Sequence, residues 1–247
     1  MQAIHDLGDY ADFLRELEEH GILFAVIGGC AVGGYARLMG ETVLSGDLDI
    51  YLPQESLNDL LAWLRRRGAE IRKRPRPRSV PVAVFFWDGK EVNALSSSQA
   101  LPAPQIVART AREFVLSKHG GVVVPVADPF DLLANKLAVA REKDRPHIEI
   151  LRRFCEEEAV AALSQEQGRQ RLLPARRLLE VLNRTTLTSE LAERLIERAA
   201  EPIDYRFLIS KVPLERQARR LLDQAPELPE LHAELSAIFA SRKFERG

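Results

Sequence analysis

Cysteine is scarce in this sequence: Cys30 and Cys155 are the only two among 247 residues. They form no Cys-x-x-Cys pair and the five histidines are scattered, so the ligand spacing of a structural zinc site is missing. Cys30 follows Gly29, a position that would suit a nucleophile, but free cysteine is commonly buried. We therefore interpret Cys30 as a core residue.

Long apolar runs are also missing. No stretch approaches the roughly 20 apolar residues that a membrane-spanning helix needs, and the start, MQAIHDLGDY, lacks a basic segment followed by an apolar one. The net charge of -1 gives no overall attraction to nucleic acid or membrane, so any basic binding surface must be local. We expect a cytoplasmic protein with no membrane partner.

The composition is that of an ordinary globular protein, with 46% hydrophobic and 29% charged residues. Strand and helix patterns alternate through residues 1–155, whereas residues 156–247 carry only helical apolar stripes broken by prolines. We predict an α/β domain over 1–155 and a helical domain over 156–247. The first domain is predicted to contain helices over 5–20, 30–38, 53–67, 128–144 and 147–154, strands over 23–27, 47–52, 80–87, 91–95 and 120–126, and an irregular, then helical, segment over 101–115.

Two short motifs lie close together near the N-terminus. A predicted strand ends in Gly28-Gly29, and glycines there allow a phosphate to approach backbone N–H groups. The next predicted strand carries Asp47 and Asp49, which share a face because strand side chains alternate. Paired carboxylates suit Mg²⁺ or Mn²⁺. The alternative for an isolated Asp-x-Asp is a solvated edge strand or a turn.

The order of strand, Gly28-Gly29, helix-like Cys30 to Leu38 and Ser45-Gly46-Asp47-Leu48-Asp49 resembles the signature of the polymerase-β-type nucleotidyltransferase superfamily. Within it, the chain is most similar to the AbiEii/AbiGii-toxin-like bacterial group, over roughly residues 5 to 155. The resemblance implies a nucleotidyltransferase-like domain with a small mixed sheet flanked by helices, followed here by the all-helical C-terminal region.

The resemblance also implies roles for individual residues. Asp47 and Asp49 would hold the metal and be catalytic. Lys136 stands where the family has a lysine near the triphosphate, and would be both catalytic and nucleotide-binding. Asp144, in a Lys-Asp pattern, is either an active-site carboxylate or a helix cap. The residues implied to bind the nucleotide are Gly28, Gly29, Ser45, Lys136 and Asp144.

The chain departs from the family at two positions. The superfamily usually has a third carboxylate on the strand after the hairpin, and this position falls on Asn93, which offers a carbonyl oxygen but cannot accept a proton as an aspartate can. Glu91, on the same face, is the alternative metal ligand. Val43 stands where the family often has an arginine, and Arg37 is the candidate to supply that charge from elsewhere in the sequence.

A basic stretch follows the predicted helix over 53–67. Its prolines keep it extended and out of a central sheet. It is either a solvated loop or a surface that faces RNA or another anionic substrate. The residues concerned are Arg72, Lys73, Arg74, Arg76 and Arg78.

These observations predict a metal-dependent nucleotidyltransferase that moves a nucleotidyl group from an NTP to a hydroxyl. The resemblance to toxins favours RNA, such as tRNA, as acceptor and implies an antitoxin partner. The alternative is a non-catalytic nucleotide- or RNA-binding module that retains the fold, motivated by Asn93 and Val43. A glycosyltransferase also uses Asp-x-Asp with a metal, but Gly28-Gly29 directly upstream and the helical second half argue against it.

Overall fold

The computed structural model describes residues 4–74, 82–165 and 172–182. The chain divides into two compact units, Met1–Phe154 and Cys155–Gly247. Of the predicted helical domain, the described part is helical, and the remainder lies outside the described residues. That domain and its boundary therefore stay a prediction.

The described residues form seven strands and seven helices, with 3-10 turns at Leu7–Tyr10, Ser117–His119 and Glu142–Asp144. The strands are β1 (Ala25–Ile27), β2 (Asp47–Tyr51), β3 (Ile71–Lys73), β4 (Val82–Trp87), β5 (Lys90–Leu95), β6 (Arg112–Leu116) and β7 (Val122–Val126). The helices are α1 (Ala11–Glu19), α2 (Gly28–Leu38), α3 (Gln54–Arg66), α4 (Pro104–Thr110), α5 (Pro129–Val139), α6 (Arg145–Gln165) and α7 (Leu172–Leu182). No helix among these residues is long and apolar enough to cross a membrane.

The strands form one mixed sheet in the order β3-β4-β5-β2-β1-β7-β6. β2 pairs with β5 in parallel and β1 pairs with β7 in parallel, while the other neighbours are antiparallel. The predicted mixed α/β class, with a sheet flanked by helices, is confirmed. β2, which carries Asp47 and Asp49, lies in the centre of the sheet.

Helices α1 and α3 pack their apolar sides against the sheet through aromatic side chains. Phe13 of α1 lies 5.7 Å from Phe85 and 5.2 Å from Trp87 between ring centroids, and Trp63 of α3 stacks on Trp87 at 5.3 Å. Phe13 and Phe85 are fully buried. Burial of such rings contributes about 1.5–3 kcal/mol each, so this cluster holds the β4–β5 end of the sheet in place beside β2.

Three predicted elements differ from the structure, and the edge strand β3, at the start of the basic stretch, was not predicted. The segment over 101–115 is not helical to its end: α4 stops at Thr110, and β6 follows with Phe114 packed in edge-on contact with Tyr35 at 5.1 Å. The helix predicted over 128–144 ends at Val139, because Ala140 adopts a left-handed conformation with φ of 51°. The first helix is preceded by a 3-10 turn, which Asp6 opens with a capping box.

Candidate functional site

The two carboxylates of β2 lie on its half-buried face. Asp47 and Asp49 are partly buried, whereas Leu48 and Ile50 between and after them are fully buried. Asp49 is opposite Ile27 of β1 and opposite Asn93 of β5. This register places the carboxylates between the start of α2 on one side and the polar face of β5 on the other.

Asn93 connects the two carboxylates directly. Its Nδ2 donates to Asp47 Oδ2 at 2.9 Å and to Asp49 Oδ1 at 3.1 Å. Ser45 Oγ donates to the other oxygen of Asp47, Oδ1, at 3.1 Å. The structure thus brings Ser45, Asp47, Asp49 and Asn93 into one hydrogen-bonded group.

The electrostatic setting raises the pKa of Asp49 to about 6. Burial is the main cause and the charge of Asp47 adds to it, while the Asn93 hydrogen bond and the positive charges of Lys136 and Arg141 act in the opposite direction. The raised pKa means that the charged form of Asp49 needs a positive or donating partner beside it.

The start of α2 lies against this carboxylate pair. The helix begins at Gly28 directly after β1, and its N-cap, Ile27, supplies no side-chain hydrogen bond to the first turn. Gly28 has φ of +71°, and a Cβ built there would overlap the Asp49 carboxylate and lie 2.8 Å from its Cγ. A Cβ on Gly29 would lie 2.9 Å from Ser45 Cβ. Only glycine at both positions leaves room for these side chains beside the helix start.

Replacing Gly28 with alanine is expected to displace Asp49 and to destabilise the protein more than replacing Gly40, whose φ is +77° but whose Cβ would meet no atom within 4 Å. Gly40→Ala has only the backbone cost, about 1–2 kcal/mol, while Gly28→Ala adds the steric overlap. Thermal melts would measure the stability of both variants, and Mn²⁺ titrations would measure whether the displacement of Asp49 alters cation binding. Equal stability losses together with unchanged Mn²⁺ binding would contradict the close approach of Asp49 to Gly28.

A second polar cluster is centred on Asp144 in the 3-10 turn before α6. Lys136 Nζ of α5 donates to Asp144 Oδ1 at 2.8 Å, and Arg141 Nε donates to Oδ2 at 2.7 Å. Lys136 is only 4% exposed and Asp144 only 1%. Lys136 is therefore a buried ion-pair partner, not a lysine that extends to the surface.

The pKa of Asp144 reflects this pairing. Burial alone would raise the pKa of the carboxyl, but the hydrogen bonds and charges of Arg141 and Lys136 outweigh burial and hold the pKa below its usual value. Lys136 and Arg141 also lower the pKa of Asp49. The two clusters therefore interact electrostatically.

His147, which has no role predicted from the sequence, lies between the two clusters. Its Nδ1 is 3.6 Å from Asp144 Oδ1, and its Cε1 is 3.6 Å from the Cβ position of Gly29. Burial, with the charge of Lys136, lowers the pKa of the imidazole despite Asp144. His147 is thus neutral at neutral pH. Its proximity to Gly29 depends on packing between α2 and α6, which no local pattern reveals.

Other predicted site residues have different surroundings. Glu91 is opposite Asp47 in the sheet, but its carboxylate lies 3.8 Å from the Arg72 guanidinium. Arg37 is 3.1 Å from Asp6 Oδ2 in an exposed ion pair, and this pairing gives Arg37 a partner other than the carboxylates of β2. Arg74 is exposed, while Arg76 and Arg78 lie outside the described residues.

Cys30 is buried, as predicted. Its Sγ donates to the backbone carbonyl of Asp47 at 3.3 Å, so the thiol helps to fix the start of β2. Burial, with the charges of Asp49 and Asp47, raises the pKa of the thiol. A protonated, buried thiol is a poor nucleophile, which supports a structural role.

The donor set fits one kind of cation. Within residues 4–74, 82–165 and 172–182, no three His, Cys, Asp or Glu side chains are grouped so that they alone would hold a metal ion. Mg²⁺ in nucleotide sites usually binds one or two carboxylates together with substrate phosphates and water. Asp47 and Asp49 fit a cation of that type, which completes its coordination with phosphate oxygens.

No protein-family model and no curated protein matches the chain. Among solved structures, it is similar to the antibiotic-resistance factor ANT(2″)-Ia, at 15% identity over 61% of this chain and 82% of that chain, with a TM-score of 0.43. It is also similar to an antigenic nucleotidyltransferase-like protein from Paracoccidioides brasiliensis, at 14% identity over 94% of this chain and 95% of that chain, with a TM-score of 0.36. The toxin-like group stays a prediction, and the function of this chain must be inferred from its own residues.

Proposed function

We propose that the protein is a metal-dependent nucleotidyltransferase that moves a nucleotidyl group from an NTP to a hydroxyl acceptor. The observation that carries this proposal is the Asp49 carboxylate lying directly against Gly28 at the start of α2, with Asp47 on the same face of β2. A helix N-terminus favours phosphate, and paired carboxylates favour a divalent cation. A nucleoside triphosphate with Mg²⁺ has both groups in one molecule.

In this proposal, Asp47 and Asp49 hold the cation, and the backbone N–H groups of Gly28 and Gly29 donate to the phosphates. When bound, Mg²⁺ (or Mn²⁺) would neutralise triphosphate charge and assist ionisation of the attacking hydroxyl. Ser45 orients Asp47 through its hydrogen bond. Lys136 supplies positive charge for the departing pyrophosphate, and Asp144 keeps that ammonium in place.

RNA is the acceptor that we favour, because of the positive charge at the end of β3 and directly after it. Lys73 and Arg74 are exposed, and β3 lies three strands from β2, which is about 14 Å at the usual strand spacing. A single-stranded RNA whose end lies at Asp47 would cover the distance from β2 to β3 with a few nucleotides. A toxin role and an antitoxin partner are suggested by the family resemblance alone.

Calorimetric titration with each NTP, with and without Mg²⁺, tests nucleotide binding. We expect at least one NTP to bind with Mg²⁺ and about a hundredfold more weakly without it. The Asp47→Asn/Asp49→Asn double variant serves as the control and is expected to lose the metal-dependent part of the NTP affinity. Binding that is equal in the control would place the nucleotide elsewhere and contradict the proposal.

A non-catalytic nucleotide-binding module is the second candidate, and Asn93 is the observation that favours it. The amide at the usual third-carboxylate position cannot accept a proton from an attacking hydroxyl. Such a module would bind an NTP with Mg²⁺ but release no pyrophosphate with any acceptor. Mg²⁺-dependent incorporation of labelled NTP into total RNA would therefore exclude it.

A further inference from the structure

Asn93 is placed where its side chain affects how the proposed site binds a cation. The inference drawn from this position rests on the proposed function. The Asn93 Nδ2 lies 2.9 Å from one carboxylate and 3.1 Å from the other. Beside two carboxylates the NH₂ end of the amide donates to both, whereas its oxygen end would be repelled by their oxygens. The amide therefore donates to the same oxygens, Asp47 Oδ2 and Asp49 Oδ1, that face each other across the pair.

We propose that Asn93 acts as an occupant of the cation position in the nucleotide-free protein, and so lowers the affinity of the site for a free divalent cation. Each N–H···O⁻ bond to Asp47 and Asp49 is charge-assisted and stabilises the pair without metal. A cation between the carboxylates must first displace the NH₂ group. The side chain then withdraws from the pair.

A carboxylate at position 93 would have the opposite effect. An aspartate would add a third negative charge to the pair, repel it without metal and draw a cation in. With asparagine, the site instead binds a cation mainly when phosphate oxygens accompany it, because their bonds to the cation compensate for the lost hydrogen bonds of Asn93. The chain is thereby adapted to take up the metal and the nucleotide together.

Mn²⁺ titration followed by electron paramagnetic resonance, without nucleotide, tests the inference on the full chain. Asn93→Ala removes both hydrogen bonds that the side-chain amide donates, and this variant is expected to bind Mn²⁺ about tenfold more tightly than the natural protein. Asn93→Leu has neither donor nor acceptor on a side chain that branches at the same atom, and the same direction is expected. Asn93→Asp should bind Mn²⁺ most tightly of all, and Asp47→Asn should bind it least.

A second measurement uses thermal stability. Mg²⁺ should raise the melting temperature of Asn93→Ala and Asn93→Leu by more than that of the natural protein, because tighter binding to the folded state gives greater stabilisation. This comparison needs no catalytic activity.

The outcomes separate the inference from the proposed function. Weaker or unchanged Mn²⁺ binding in both Asn93→Ala and Asn93→Leu would overturn the inference, because it would mean that the amide oxygen is a ligand or that the amide is irrelevant. Tighter binding in both, with no NTP binding, would support the inference and leave the transferase proposal refuted. Absence of Mn²⁺ binding in every variant, including Asn93→Asp, would overturn the inference, whereas the proposed function would still be decided by the NTP titration with Mg²⁺.

Discussion

Replacing Asp47 with asparagine is expected to reduce nucleotidyl transfer by more than about 100-fold while leaving the protein folded. Changing a residue that only supports a metal ligand typically costs 10- to 100-fold, and Asp47 is a proposed ligand itself. The amide is nearly the size of the carboxylate: its oxygen can accept from Asn93 Nδ2, and its NH₂ can donate to Ser45 Oγ, the two partners that now lie 2.9 and 3.1 Å from Asp47. Transfer of labelled NTP into RNA and a circular dichroism melt would measure both properties.

Asp59→Asn is the matched control for that experiment. Asp59 is exposed on α3, so the same chemical change there should leave transfer within about twofold of the natural rate, as is usual for surface substitutions. Full activity in Asp47→Asn would refute the assignment of Asp47 as a metal ligand. Loss of activity in both variants would show that the assay responds to something other than the site.

Replacing Asp144 with asparagine is expected to produce the largest loss of stability, about 3–5 kcal/mol, because it leaves the buried Lys136 ammonium without its carboxylate. Glu142→Gln is the control from the same turn. Glu142 is 3.0 Å from Arg145, but both side chains are more than 70% exposed, and such surface pairs contribute at most about 1 kcal/mol. Urea denaturation of both variants and of the natural protein measures their free energies of unfolding.

The pH dependence provides a second test of this ion pair. The folded-state pKa of Asp144 is lowered, so its stabilising contribution is present above the unfolded pKa of about 3.9 and is lost as the pH falls through the folded value. The difference in free energy of unfolding between Asp144→Asn and the natural protein should therefore be largest at pH 7 and disappear in strong acid. A difference that does not depend on pH would mean that the loss of stability comes from packing and not from charge.

A double replacement separates the buried charge from the buried pair. Lys136→Met with Asp144→Leu removes both ions and fills their volume, and such replacements of a buried pair are often neutral or stabilising. We expect the double variant to be more stable than Asp144→Asn. If it is the less stable of the two, the ion pair itself makes the larger contribution.

Local patterns predicted the elements that position the site, with limits that have a physical basis. The alternation around Leu48 identified β2, and the Asp-Pro start at Asp128 identified α5, since both depend on neighbours within a few residues. The strand β6 was missed because its sequence, Arg-Glu-Phe-Val-Leu, satisfies a helix as well as an edge strand, and only pairing with β7 decides between them.

The role of Asn93 could be predicted only in part. Its place on β5 follows from the hairpin at Asp88-Gly89, which is a local signal. Its bonds to Asp47 and Asp49 span 46 and 44 residues of sequence, and they depend on the parallel register between β2 and β5. Such a register is set by packing of the whole sheet, so the sequence shows an amide in place of a carboxylate but not what the amide contacts.

The basic strand β3 has a consequence that is independent of any substrate. It stands at one end of the sheet in the strand order, and a terminal strand offers backbone groups on which another chain can add and begin aggregation. Its exposed Arg72 and Lys73 would repel an identical strand from a second copy, and the sequence continues with Pro75 and Pro77, which cannot donate to a ladder. Neutralising these charges to probe RNA binding would therefore also remove a safeguard against self-association, and concentration-dependent light scattering should accompany every such assay.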